Sequence, residues 1–417
     1  MKLLIISQYF YPEQFCVSDV SFKLAEMGHD VTVLTGLPNY PTGSIYNGYQ
    51  WASLPKDCFD TELGAYIENI NGVKVIRCNL TPRKTGKKNL FRNYLSFLYQ
   101  ASKIARKMAR STKYNFDNLL VFQFSPITMV IPGIILKNKL HKSLVLYCFD
   151  LWPESIVAAG LSNHGIIYHC ILHLSRWIYK RADTLLISSR SFEKYFMDKL
   201  RIHTPVTYLP IYAEDLFTRS CSEKPNENDK DTDATNLVFA GNIGAMQSMD
   251  TIIKAADLLK ENSNIHFHIV GDGSYLEKSK NLAQELALNN ITFHGRHPLE
   301  DMPKYYDMAD AFLVTLKKDP FISYTLPGKV QSYMASGKPI IAAIDGEAYD
   351  TIQTSGCGLC CQAEDYDGLS QIILKFAYEK SNRQKYGDCS KSYYHSNFSE
   401  EYFFKTLLNI LHFPQIT

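Results

Sequence analysis

The chain has no run of about 18 apolar residues, so no membrane-spanning helix is expected. Its opening, Met1 to Ser7, turns polar too soon for the apolar core of a secretory signal. The ten cysteines have no regular spacing, which points to reduced thiols in a cytoplasm. Cys357, Cys360 and Cys361 cluster, but no second pair stands at zinc-ribbon distance, so no metal site is expected. No GxGxxG follows the first strand, which removes the dehydrogenase fingerprint. A net charge of +2 argues against general nucleic-acid binding. One stretch lacks acids altogether: between Pro82 and Lys113 there are ten Lys and Arg and no Asp or Glu.

With 417 residues, two domains are the default. Lys2 to Ser7 reads as a buried strand, and a helix carrying Val20, Leu24 and Met27 stops at Gly28. Asp30 to Thr35 is a second strand, which completes a βαβ unit. Ligands of open α/β sheets sit beyond the carboxyl ends of the strands. That rule places the loops Tyr9 to Cys16 and Gly36 to Gly43 at a site, with Glu13 and Asn39 among their polar residues. Further strands are Val73 to Cys78, Asn118 to Phe124, Ser143 to Phe149, Asp183 to Ser189 and Val206 to Ile211. Asp150 follows the strand Ser143 to Phe149. It faces the crevice as a reactive acid or caps the helix that Pro153 and Glu154 open, and the spacing fits both.

In the acid-free stretch, Leu90, Phe91, Tyr94, Leu95, Leu98, Ala101, Ile104, Ala105 and Met108 fall at helical offsets. They predict one long amphipathic helix with an apolar side packed inward. Its polar side carries Arg92, Lys103, Arg106, Lys107 and Arg110, and the loop before it carries Arg83, Lys84, Lys87 and Lys88. Such a basic surface with aromatic neighbours suits anionic lipid or a lipid-linked phosphate.

Residues 218–236 are polar and charged and read as a linker. Their Asp229, Asp231 and Asp233 form DxD patterns that composition explains, since a metal site needs an ordered place beside a core strand. The second half repeats the first. Strands ending in Gly241-Asn242-Ile243-Gly244, Gly271-Asp272-Gly273 and Gly295-Arg296-His297 place three glycine turns at one end of a sheet. Tyr324 to Ile341 closes the series, with Lys329 in a turn beside a helix N-terminus, which makes an anion site.

SQYFYPE, LPNYPTG, DLWPES, FAGNIGAMQSMDTIIKAADLL, HIVGDG, FHGR and PGKVQSYMASGKPII resemble, in this order, the family-4 glycosyltransferases. Within them the chain is most similar to the bacterial L-fucosamine and colanic-acid-type transferases. The resemblance implies the GT-B fold: α/β, two Rossmann-like domains with parallel sheets facing a cleft and a C-terminal helix crossing back to the first domain. The expected boundaries are 1–213 for an acceptor domain, 214–235 for a linker, 236–395 for a donor domain and 396–417 for the tail helix.

It also implies a retaining, metal-independent transfer from a UDP-linked sugar, with no cofactor. The expected sugar is N-acetyl-L-fucosamine or another N-acetylhexosamine. The acceptor is a polyprenyl-diphosphate-linked glycan at the inner face of the cytoplasmic membrane, for O-antigen or capsule synthesis. Donor contacts carry over to Gly241, Asn242, Gly244, Gly271, Asp272, Gly273, Arg296, Tyr324, Thr325, Lys329 and Ser332. Lys329, Asp150 and Glu13 are the expected catalytic residues. Asn39 and the basic residues from Arg83 to Lys107 would meet acceptor and membrane. The chain departs from the family pattern at Tyr324 and Ser332, where two glutamates are usual, at Ala245 and Gln247, where cations are usual, and at Phe149, where a histidine is usual. A UDP-sugar 2-epimerase of the same architecture and a non-catalytic subunit of an assembly complex are the alternatives.

Overall fold

The computed structural model describes residues 1–158, 160, 162–219 and 234–412. Contacts divide the chain into two units: Met1–Ser188, Phe192–Leu209 and Leu407–Thr417 in the first, Ser189–Ser191 and Pro210–Thr406 in the second. The acidic triplets at Asp229, Asp231 and Asp233 lie outside the described residues.

In the first unit the strands are β1 Lys2–Ile6, β2 Asp30–Gly36, β3 Phe59–Asp60, β4 Ala65–Ile70, β5 Val73–Cys78, β6 Asn118–Gln123, β7 Ser143–Cys148, β8 Thr184–Ile187 and β9 Val206–Tyr208. They form a sheet of order β3-β4-β5-β2-β1-β6-β7-β8-β9. The central strands are parallel and fully buried, which is why they read as unbroken aliphatic runs. The helices α1 Cys16–Glu26, α2 Lys87–Met108, α3 Ile131–Leu140, α4 Glu154–Ala158 and α5 Ile166–Tyr179 lie between these strands in the chain. Met27, expected on the packed side of α1, is exposed just past its end. Strand β4 runs antiparallel to both neighbours. This edge ribbon escapes sequence reading because most of β4 is only half-buried and alternates weakly.

In the second unit β10 Thr235–Ala240, β11 Ile265–Val270, β12 Ile291–Gly295, β13 Ala311–Thr315, β14 Ile340–Ala343 and β15 Gly358–Cys361 pair in the order β12-β11-β10-β13-β14-β15. All these pairings are parallel. One core cluster joins β10 and β11 to the helices Met249–Leu258 and Tyr366–Tyr378. Cys360 and Cys361 prove to be residues of the edge strand β15. The segment expected to be linker holds a short helix, Asp215–Arg219, because Phe217 stacks on Tyr306 at 4.5 Å and is buried there. At the C-terminus, Ser399 Oγ accepts the Tyr402 N–H at 3.2 Å and starts the helix Glu400–His412. Its last residues belong to the first unit, where Asn118 Nδ2 donates to the Leu411 carbonyl at 2.7 Å.

Candidate functional site

In the second unit the three glycine turns form one hydrogen-bonded layer beyond the strand ends. Gly241 N–H donates to the Val270 carbonyl at 2.9 Å, Gly271 N–H to Gly295 at 2.8 Å and Ile243 N–H to Asp272 at 2.8 Å. Gly271 has φ +141°, and a Cβ there would overlap the Gly241 carbonyl oxygen, so only glycine fits. Asn242, Asp272 and Arg296 are exposed around this layer. Asp272 Oδ1 accepts the Gly273 N–H at 2.7 Å, which shapes its own turn.

The helix Gly328–Ala335 is fastened to the same layer by Tyr333. The buried Tyr333 hydroxyl donates to the Ala240 carbonyl at 2.8 Å and accepts the Ala240 N–H at 2.9 Å, one residue before Gly241. Its ring stacks on Phe312 with centroids 4.0 Å apart. This anchor sets the helix start, and with it Lys329, against the turn. Lys329 Nζ donates to Gln247 Oε1 at 2.6 Å and lies 3.9 Å from the centroid of the Phe239 ring. Burial pushes its pKa down to about 7. Gln247 is itself held by Thr315, whose hydroxyl donates to the Gln247 carbonyl at 2.6 Å. Lys317 N–H donates to the Met246 carbonyl at 3.0 Å.

The remaining positions of this stretch hold themselves. Thr325 Oγ1 donates to the Ile322 carbonyl at 2.8 Å, Ser332 Oγ to Gly328 at 3.4 Å, and the Tyr324 carbonyl accepts from Ser189 Oγ. Glu347 accepts the Arg190 and Ser191 N–H groups and the Ser191 hydroxyl, so its carboxylate is committed to that backbone.

In the first unit Asp150 is no helix cap. Its Oδ2 accepts the Ser125 hydroxyl at 2.6 Å, and α4 begins only at Glu154. Trp152 Nε1 donates to the same Ser125 Oγ at 3.3 Å. Tyr9 OH donates to the Ser125 carbonyl at 3.1 Å and accepts from Arg83 at 3.2 Å, while the Arg83 guanidinium lies over the Tyr40 ring. Tyr94 hydrogen-bonds to Tyr9 and feels the charge of Asp150. Arg83, Tyr9, Ser125 and Asp150 are thus one connected polar group beyond β1, β6 and β7. Burial raises the Asp150 pKa, and the Ser125 bond opposes that rise. Phe149 stacks on Phe124 at 4.7 Å.

Three expectations change. Glu13 is 2% exposed, and its oxygens accept N–H bonds from Asn39 and Tyr40 at 2.7 Å and Phe10 at 3.2 Å, so it clamps two loops and is not free for chemistry. Burial pushes its pKa up to about 7 against those bonds. Asn39 is fully buried and accepts from Arg83 N–H at 3.1 Å and Asn93 Nδ2 at 3.2 Å, so it supports Arg83 and does not meet an acceptor. Lys107 turns inward to the Leu63 carbonyl at 2.9 Å.

Lys84, Lys87, Lys88, Arg92, Lys103 and Arg106 do face outward. Phe91 and Leu95, expected inside, are exposed beside them at 61% and 44%, and Tyr99 continues the line. The buried side of α2 is Phe97, Ala101, Ile104, Ala105 and Met108 with Asn93. Among the described residues no helix is long and apolar enough to cross a membrane.

The residues that sequence reasoning missed are Tyr9, Tyr94 and Ser125 in the first unit and Gln247, Thr315 and Tyr333 in the second. The aromatic SQYFYPE loop was the one signal for the first group. Nothing local marks the second.

The profile described as glycosyl transferases group 1 matches residues 221–392. Glycosyltransferase WbjE of Pseudomonas aeruginosa is 26% identical over 78% of this chain and 80% of its own. The colanic acid biosynthesis glycosyl transferase WcaI of Escherichia coli K12 is 24% identical over 90% and 92%. Among solved structures, Anabaena Alr3699/HepE in complex with UDP superposes with a TM-score of 0.71 at 13% identity, covering 99% of this chain and 100% of that one. These findings support a glycosyltransferase of the GT-B fold. The two parallel-sheet units are the two halves of that architecture.

Proposed function

We propose that the chain moves a sugar from a UDP-linked donor to a polyprenyl-diphosphate-linked glycan in bacterial surface polysaccharide synthesis, with retention and without a metal. The observation that carries this reading is Lys329, a cation without an acidic partner among its described contacts, set against the Gly241 turn by the Tyr333–Ala240 lock. The name of WbjE supports glycosyl transfer, that of WcaI a polysaccharide product, and the UDP bound in the HepE structure the donor nucleotide.

In the second unit Gly241, Asn242, Gly244 and the first turn of Gly328–Ala335 receive the diphosphate. Gly271, Asp272, Gly273 and Arg296 border the nucleotide, and Tyr324, Thr325 and Ser332 border the sugar. As the bond between the anomeric carbon and the diphosphate oxygen breaks, negative charge grows on that oxygen. Lys329 and the helix N-terminus stabilise it where it develops. The acceptor hydroxyl bonds to the anomeric carbon on the same face and gives its proton to the departing diphosphate, so no strong protein base is required. In the first unit Asp150, oriented by Ser125, positions the acceptor, and Arg83 binds phosphate of its carrier. The outward side of α2, with cations and exposed Phe91 and Leu95 interleaved, rests on the inner face of the cytoplasmic membrane.

A thermal-shift series with UDP-, GDP-, dTDP- and ADP-sugars tests the donor, because stabilisation follows affinity. A UDP-N-acetylhexosamine is expected to give the largest rise, and silence from all UDP-sugars would overturn the donor assignment. Transfer that survives EDTA is expected. A donor altered without acceptor would turn the reading to the epimerase. Binding without transfer would turn it to the non-catalytic subunit.

A further inference from the structure

We propose that α5 is a second membrane-contact element, inserting Ile166 and Ile167 among the headgroups of an anionic bilayer beside the basic start of α2; it rests on the membrane reading above. Ile166 is 84% exposed and Ile167 60%, at the start of a helix that is packed on its other side only. Single exposed aliphatics are ordinary, but this pair heads a line that continues through Cys170 to Trp177 on the outward side. Tyr168, Ser175, Ile178 and Tyr179 hold the opposite side in the core.

The segment itself carries charge of one sign. From Ser162 to Ala182 there is no Asp or Glu, while Arg176, Lys180 and Arg181 end the segment. Arg181 lies over the Trp177 ring at 4.0 Å, an aromatic and a cation at one helix end, as suits a headgroup zone. The segment entering α5 adjoins α2: a Cβ on Gly160 would stand 3.7 Å from Lys87 Nζ. The loop that leads to the exposed isoleucines thus passes the outward Lys87 at the start of α2. A second copy of the chain is a poor occupant, because a two-fold contact would set these cations against each other without acids. Anionic lipid answers both the apolar pair and the charge.

The test uses the full chain and vesicles of phosphatidylglycerol and phosphatidylethanolamine. Ile166→Ser with Ile167→Ser is expected to lower vesicle partition about ten-fold or more with an unchanged Tm, since both side chains are already exposed. Trp177 supplies a second readout: in a Trp51→Phe background, where the remaining tryptophan, Trp152, is buried, lipids brominated near the headgroup are expected to quench the emission in the wild-type pair and much less in the serine variant. Partition that is unchanged by the serines but lost in Lys87→Glu with Lys88→Glu would overturn this proposal and leave the α2 reading standing. A wild-type chain that ignores the vesicles would overturn both. A dimer dispersed by the serines, with vesicle binding unaltered, would also overturn it in favour of a protein interface.

Discussion

Lys329 Nζ stands 2.6 Å from Gln247 Oε1, so a lysine from one helix start reaches the turn that follows Gly244. Its side-chain acceptor is neutral, so no carboxylate offsets its charge among the described contacts. Lys329→Ala is expected to cut kcat about 100-fold, the size of a lost leaving-group contact. Gln247→Leu leaves the charge but frees its direction, so a smaller loss of about ten-fold in kcat/KM is expected. Steady-state kinetics on both variants check this, and equal losses would show that Gln247 does more than orient.

The same lysine makes stability depend on pH. Its pKa is about 7 in the folded chain against an ordinary 10.5. Between those values the unfolded chain holds a proton that the folded chain lacks, so stability rises with pH across that window and is lowest below 7. Lys329→Met is expected to raise Tm more at pH 6 than at pH 9, as differential scanning calorimetry would show. Nucleotide binding favours the charged lysine, so affinity for UDP is expected to fall as pH climbs above about 7.

Ser125 tunes Asp150. Its hydroxyl lowers a carboxyl pKa that burial raises. Ser125→Ala is expected to move the acid limb of the kcat/KM profile to higher pH, with a modest loss at pH 8. Asp150→Asn should remove the limb. A profile that stays in place after Ser125→Ala would separate Asp150 from the acceptor step.

Glu13 is expected to matter for folding. Glu13→Ala strands three N–H groups and should cost about 3 kcal/mol in urea denaturation. Its pKa is raised to about 7 from 4.5, so the folded chain keeps a proton there that the unfolded chain has lost. Stability falls as pH rises through that window, and Glu13→Gln should flatten the slope.

Much of the fold is visible in local patterning. β1, β2, β5, β6 and β7 are buried on both faces, and the aliphatic runs they require are unmistakable. Glycines mark the three turns of the second unit because close backbone approach admits nothing larger. The span of α2 follows from helical offsets, yet its orientation does not. Leu90 to Met108 offers more apolar residues than one side can bury, and only packing decided that Phe97 turns in while Phe91 and Leu95 turn out.

The sequence by itself therefore determined the central strands, the glycine turns and the presence of Lys329 beside a helix start, all matters of neighbouring residues. Tertiary structure alone decided that Glu13 clamps loops, that Asn39 supports Arg83, that Ser125 directs Asp150 and that Gln247 receives Lys329. These pairings join positions from 25 to 82 residues apart. Hydrogen bonds at such separation leave no period or motif in the chain, because each partner is chosen by the place to which the sheet order carries it.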